Sequence, residues 1–477
     1  MKETQPEPFL WHYAANTPPS GPLLLWENQA FLGVNPQVSH PARLIALSLT
    51  NGRVRWEKQF DHTFVHHLAA AYRQNVPTLY ATLNSRDFLH GQATLLAWNA
   101  QGQQQWQWQA PGGAQIFSHI AIYNNHLWFS ADSNILWHVN PMDEQDIRRF
   151  PLNLNVSWEA PLVTQDMVIV PGKSPRLLAL SKNGDRRWLY DASAHTAHWL
   201  DRTPVLSGDY LVAAFSRGLI VCLDVQTGRE RWRVAVGPAG KELSGPACDD
   251  RLAYVGARDG LYALSLENGR VAWHYRLARS VMARPRVHEG RVYVAGHDHY
   301  IHILTAATGE PLWQSADLGA RLEETPILGH QIVVAVNRRG QIAAVKPPLD
   351  ENDLIREGLW QEAIALLTER GEVRRIAEVR EMFDHPLHAA YAWEKLNEWE
   401  RAAILYEAAG AWEYAAALWH KLDQLDRYAE ALLNHAQTAS ARALGDEEMA
   451  VHWEKAALAL ESTDQRERAA DCWRQVA

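Results

Sequence analysis

Two short stretches concentrate side chains able to ligate a metal or carry a proton. DHTFVHH holds His62, His66 and His67, and HDHYIH holds His297, His299 and His302. Imidazoles bind a metal only where their nitrogens converge on one point with suitable geometry. In the second stretch His297 and His299 fall where a surface turn is expected and His302 in the strand that follows, so no metal centre is expected. Cys222, Cys248 and Cys472 lie far apart in the chain, which suggests neither a CxxC site nor a disulfide framework. No nucleophile elbow, P-loop, zinc-protease motif or dinucleotide fingerprint occurs in a suitable context. No cofactor is expected, and a site would have to be assembled from residues distant in the chain.

The scaffold that could assemble one is repetitive. LYALSLENGRVAW ends on Gly269 and, four residues on, Trp273; the same spacing joins Gly52 to Trp56, Gly102 to Trp106, Gly184 to Trp188, Gly228 to Trp232 and Gly309 to Trp313. A further unit, ILWHVNPMDEQDIRRF, has lost both residues and carries Phe150 in the Trp place. Each unit alternates apolar and other residues, turns at Asn-Gly or Thr-Gly, and alternates again, which is a hairpin pattern. Two further strands precede each hairpin, the first usually opened by Pro, so each period predicts four strands, one propeller blade. An eighth unit at 331–346 stops before any Gly–Trp strand, while FLWHY at 9–13 offers a Trp strand with no hairpin. Trp11 therefore completes the last blade and closes the ring. The spacing predicts an eight-bladed β-propeller over 1–347, closed by the N-terminal strand.

These units resemble the tryptophan-docking repeats of the pyrroloquinoline-quinone (PQQ)-like propeller superfamily, across the whole of 1–347. The resemblance implies that Trp11, Trp56, Trp106, Trp188, Trp232, Trp273 and Trp313 pack between blades. It is poor for function, because the superfamily holds both quinoprotein dehydrogenases and non-enzymatic scaffolds. For an enzyme it would imply adjacent disulfide-bonded cysteines, a calcium ligand set and a catalytic Asp; the adjacent cysteines are missing here. Aligning the repeats also points to the channel mouth. Two positions before the Pro slot stand Ser20, His67, Ser118, Glu159, Arg202, Ser244, Ala283 and Glu324, with His119 and Arg284 beside them. Pseudo-symmetry would converge them, so His67, His119, Glu159, Arg202, Arg284 and Glu324 are the candidate binding residues.

After Pro347-Pro348 the composition turns to Ala, Leu, Glu, Arg and Trp, and a 13-residue period begins at Trp360, Val373, Pro386, Trp399, Trp412 and Leu425. In one continuous helix thirteen residues would leave successive apolar faces about 220° out of phase. Short helices broken at Gly371, His385-Pro386 and Gly410 keep each face inward. Residues 348–477 are therefore expected to be an α-helical solenoid, similar to tetratricopeptide-like repeats. They carry 14 Lys+Arg against 26 Asp+Glu, a net of −12, while 1–347 carry 32 against 29, a net of +3. Glu394 and Glu398 read as solvated surface. Neither part is basic enough for nucleic acid, and an acidic surface disfavours anionic membranes. The acidic, proline-containing N-terminus and the sparse cysteines point to the cytoplasm. The function expected is a non-enzymatic interaction scaffold, a propeller disc with an acidic helical docking surface. Its layout is similar to propeller partners of bacterial MoxR-type ATPases and von Willebrand A-domain proteins. The alternatives are a degenerate quinoprotein oxidoreductase and a small-ligand sensor at the channel mouth.

Overall fold

The computed structural model describes residues 9–476 other than 16, 36–39, 88–91, 117, 132–133, 196–198, 201, 239–241, 330–331, 349, 357 and 442–445. The chain divides into two compact units, Met1–Pro347 and Pro348–Ala477. The first is an eight-bladed β-propeller of four-stranded antiparallel sheets. Blades 1 to 7 span 24–60, 63–109, 121–151, 162–191, 205–235, 247–276 and 286–314. Blade 8 takes three strands from 327–345 and its fourth from Trp11–Ala14, with Trp11 opposite Ala344 and Tyr13 opposite Ile342. The ring is thus closed by its N-terminal strand, which covers the edge that Gln341–Val345 would otherwise expose. The first strands of neighbouring blades lie against one another and form the inner wall. Apolar clusters fill the space between blades. One joins Ile169 and Trp188 of blade 4 to Leu211 and Phe215 of blade 5.

Six blades carry a one-residue bulge between their third and fourth strands, and these are the six with the Gly–Trp spacing. In blade 6, Leu264 pairs with Val271 but Ala263 with Trp273, which leaves Ala272 as the extra residue. The same offset stands before Trp56, Trp106, Trp188, Trp232 and Trp313. One inserted residue reverses the facing of all that follows it relative to what precedes it; Trp11, in blade 8, makes its contact from an unbroken register. Blade 3, with Phe150 in the Trp place, keeps an unbroken register.

The indole lies on the turn glycine of the next blade. Trp232 of blade 5 covers Gly269 of blade 6 so closely that a Cβ there would stand 2.6 Å from Cε3, and Gly269 has φ +71°. Trp232 Nε1 donates to the Leu266 carbonyl at 2.7 Å. Trp11, Trp56, Trp188 and Trp273 make the same contact on Gly52, Gly102, Gly228 and Gly309, donating to the carbonyls of Leu49, Ala100, Val225 and Ala306. Phe150 covers Gly184 without the hydrogen bond that an indole supplies. Trp106 and Trp313 face blades 3 and 8, which lack the turn glycine.

Among the described residues the second unit holds nine helices: α1 Glu351–Arg356, α2 Trp360–Arg370, α3 Val373–Phe383, α4 Pro386–Lys395, α5 Trp399–Ala408, α6 Trp412–Lys421, α7 Leu425–Ala441, α8 Asp446–Ser462 and α9 Arg466–Val476. Left-handed residues at Gly371, Asn397, Gly410 and Asp423 end α2, α4, α5 and α6. Pro386 opens α4, capped by His385 Nδ1, which accepts from the Leu387 N–H at 3.2 Å. Buried alanines at 389–390, 402–403 and 415–416 let the helices approach closely.

A side-chain ladder joins these helices. Trp393 Nε1 donates to Glu381 Oε2 at 2.6 Å, Tyr406 Oη to Glu394 Oε2 at 2.6 Å, and Trp419 Nε1 to Glu407 Oε1 at 2.7 Å. Trp473 Nε1 repeats the contact on Glu461 at 2.9 Å. The reading of Glu394 as solvated surface is corrected here, whereas Glu398 keeps a side chain 42% exposed. Glu394 anchors a buried tyrosine one helix on, and Glu398 pairs with Arg374 at 3.0 Å. A 12-residue separation within a 13-residue period sets each carboxylate opposite the aromatic of the next helix.

Candidate functional site

The residues that precede the inner strands meet at the propeller mouth. His119, Glu159, Arg202, Arg284 and Glu324 all line one cavity of about 670 Å³. Each comes from a different inter-blade connection, so the ring brings together residues up to 205 positions apart (119 to 324). Glu159 Oε2 accepts from the Thr203 N–H at 3.0 Å and from the Thr203 hydroxyl, and Arg284 donates to the Thr203 carbonyl. Thr203 thereby holds an acid and a guanidinium at fixed places on the wall. Gly245 leaves room for them, since a Cβ there would stand 2.8 Å from Arg284 Nε.

His67, the sixth candidate, does not line the cavity. It lies behind His119, the two rings stacked with centroids 4.1 Å apart, and its Nδ1 accepts from the Ile120 N–H at 3.2 Å. The physical reason is local: in blade 2 the first strand already begins at Thr63, so position 67 lies inside a strand rather than ahead of one. Ser118 and Ser244 are fully buried. Each accepts a backbone N–H across its blade, from Ser130 and Gly256, and so serves the backbone rather than the cavity.

Burial sets the protonation of this wall. It lifts the Glu324 carboxyl from 4.5 to about 7, against the pull of Arg202 and with the help of Glu323 and Glu159. It lowers His119 to about 4, with Glu159 opposing and His66, Arg202 and Arg284 adding to the effect. His67 is held well below 6.5 by burial, then by His119 and His66. At neutral pH both imidazoles are therefore uncharged, and Glu324 titrates in the physiological range.

Repeat alignment did not find the two aromatic walls. Trp158 and Trp199 line the same cavity and are 63% and 45% exposed. Both stand outside the Gly–Trp units, and that was the available signal: unrepeated tryptophans beside rim positions. The two histidine-rich stretches hold separate contacts. His302 Nε2 meets Asp298 Oδ2 at 2.8 Å, His297 Nδ1 meets Ser280 Oγ at 2.8 Å, and His299 Nδ1 lies 3.3 Å from Asp317 Oδ1. His62 sits in a turn with φ +54°.

The comparisons with known proteins match this architecture. The family model described as "Outer membrane protein assembly factor BamB" matches residues 153–245 and 230–348. The chain is 25% identical over 190 residues to the Yersinia pestis protein of that name, covering 37% of this chain and 47% of that one. It is 21% identical over 317 residues to the Shewanella oneidensis protein of that name, covering 64% and 80%. The chain thus spans about half the length of the first of these relatives. BamB from Moraxella catarrhalis shares the fold with TM-score 0.53 at 15% identity, over 70% of this chain and 98% of that one.

These relatives overturn the cytoplasmic assignment, since their names place them in outer membrane protein assembly. The cysteines do not support it either. Cys222 and Cys472 are buried, and burial pushes the Cys222 thiol up to about 12. Such a thiol is inert whatever the redox state around it. Among the described residues no helix is long and apolar enough to cross a membrane. The propeller is a ring of eight blades, and the BamB model matches the part of it from 153 onward.

Proposed function

We propose that the protein is a non-enzymatic interaction scaffold of a bacterial multiprotein assembly, and that the propeller mouth captures a segment of a partner protein. One observation carries this reading: five of the six rim candidates and two exposed indoles converge on a single cavity. Trp and Arg in a concave, partly desolvated setting are the composition of binding hot spots. Glu159, Glu323 and Glu324 beside Arg202 and Arg284 suit a segment carrying both charges. The names of the relatives support a scaffold in an assembly over an enzyme, and the quinoprotein alternative lacks adjacent cysteines. The order of propeller then acidic helices is the sole support for an ATPase and von Willebrand A-domain pair as partners, with the helices as a second docking surface.

Native pull-down compares wild type with a Trp158→Ala/Trp199→Ala double variant and with Arg202→Ala. The expected result is one partner recovered by wild type and lost from both variants while their thermal midpoints stay unchanged. Equal recovery of the same partner by all three would place capture elsewhere and end the proposal.

A further inference from the structure

Blade 3 departs from the other blades in a second way. On its second strand (His126–Ala131), its third (Ile135–Val139) and the turn before its fourth (Ile147–Pro151), His126, His138 and Asp146 come together. Trp128 pairs with His138 and His138 with Arg148 in an unbroken register. Cross-strand partners share a face, as do alternate residues along a strand. The three side chains therefore stand on one face of the sheet.

Their distances are those of a ligand cluster. His126 Nδ1 lies 2.6 Å from His138 Nε2. Asp146 places Oδ2 4.0 Å from His126 Nδ1 and Oδ1 3.8 Å from His138 Nδ1. One ligand atom from each residue falls within 4.8 Å of the others. Tetrahedral ligands of zinc stand about 3.3 Å apart, from bonds of about 2.0 Å, so small side-chain rotations suffice. His138 is buried, and its Nδ1 has no hydrogen-bond partner. The Trp128 ring lies 4.5 Å from the His138 ring and fixes its plane. We propose that His126, His138 and Asp146 bind a zinc-class transition-metal ion, with one coordination position left to water. Two imidazoles and one carboxylate form a donor set suited to that class.

Two cations border the site and must be accounted for. Lys182 Nζ, from blade 4, sits 4.1 Å above the Tyr123 ring and 5.1 Å above Trp128, which holds it on aromatic faces. Arg148 Nε pairs with Asp146 Oδ1 at 3.2 Å, and more than half of its side chain is exposed. An exposed ion pair is worth less than about 1 kcal/mol, so a metal displaces Arg148 at little cost. The site has a structural use. Blade 3 offers Trp106 no turn glycine, and a metal ion held between two of its strands and the turn before the fourth would staple a blade that lacks this lock.

The test uses the full chain after chelation, titrated with Zn²⁺ by calorimetry and with Co²⁺ by visible absorption. One equivalent is expected, with the d–d bands of four-coordinate cobalt and a raised thermal midpoint. His126→Ala and Asp146→Asn, both at accessible positions, should each weaken binding by at least about tenfold. Arg148→Gln should tighten it, because the carboxylate is released, whereas a purely structural ion pair would predict only lost stability. His388→Ala, at a separate exposed His–Asp pair, should change nothing. Absence of stoichiometric binding, wild-type affinity in His126→Ala and Asp146→Asn, or loss of binding in His388→Ala would overturn the proposal.

Discussion

Both units of the chain lock one repeat to the next with an aromatic donor, but they lock it onto different things. In the propeller the indole N–H goes to a backbone carbonyl of the next blade and the ring lies on a glycine. In the helices the N–H or O–H goes to a glutamate of the preceding helix. The first contact is steric and depends on a missing side chain. The second is charge-assisted and depends on a present one. A strand repeat has a rigid turn whose backbone can serve as the acceptor. A helix consumes its own carbonyls, so its neighbour must offer a side chain.

The sharpest way to break this contrast is to fill the glycine. Gly269→Val adds atoms where the Trp232 ring stands and asks a β-branched residue to take φ +71°. The expected loss is about 4 kcal/mol, read as a lower urea midpoint. Gly290→Ala is the control: its φ is also +71°, but a Cβ there meets nothing within 4 Å. It should cost only about 1 kcal/mol.

Removing the donors separates the two locks. Trp419→Phe deletes a charge-assisted bond to Glu407 at a fully buried ring and should cost about 2 kcal/mol. Trp232→Phe deletes a neutral bond to the Leu266 carbonyl and should cost about 1 kcal/mol. Equal losses would mean that ring packing, and not the acceptor, dominates both locks.

The mouth yields a pH signature of its own. The Glu324 carboxyl is raised in the folded protein, from 4.5 to about 7. Its contribution is fully present below about pH 4.5 and is lost as pH rises through 7. Glu324→Gln should remove that decline and leave the variant more stable at pH 8 by about 2 kcal/mol. Chemical denaturation at pH 5.5 and pH 8 measures it, and an unchanged slope would show a solvated carboxylate. The smallest effect is expected at Trp158, which is 63% exposed. Trp158→Ala should move the midpoint by less than about 0.5 kcal/mol, so any loss of partner would report recognition.

Much of this was legible from spacing. Gly–Trp pairs at a fixed separation count blades, and the unmatched Trp11 closes the ring. The rim was readable to the extent that alignment slots correspond to positions in space. His119, Glu159, Arg202, Arg284 and Glu324 meet, whereas His67 does not, because blade 2 starts its first strand early. Trp158 and Trp199 were hidden among many tryptophans with another role. The glutamate ladder was hidden because Glu394 on an amphipathic helix looks like any solvated carboxylate until the next helix is placed over it.

Repeat period, turn residues and alternation by themselves determined the eight blades, their closure and the succession of short helices, because these are local patterns copied along the chain. Only the tertiary structure decided the bulge in the six Gly–Trp blades, its absence from blades 3 and 8, and the meeting of His126, His138 and Asp146 on blade 3. A single inserted residue reverses the side chains beyond it, and where it lies is fixed by pairing across the sheet, which no local pattern in the chain records.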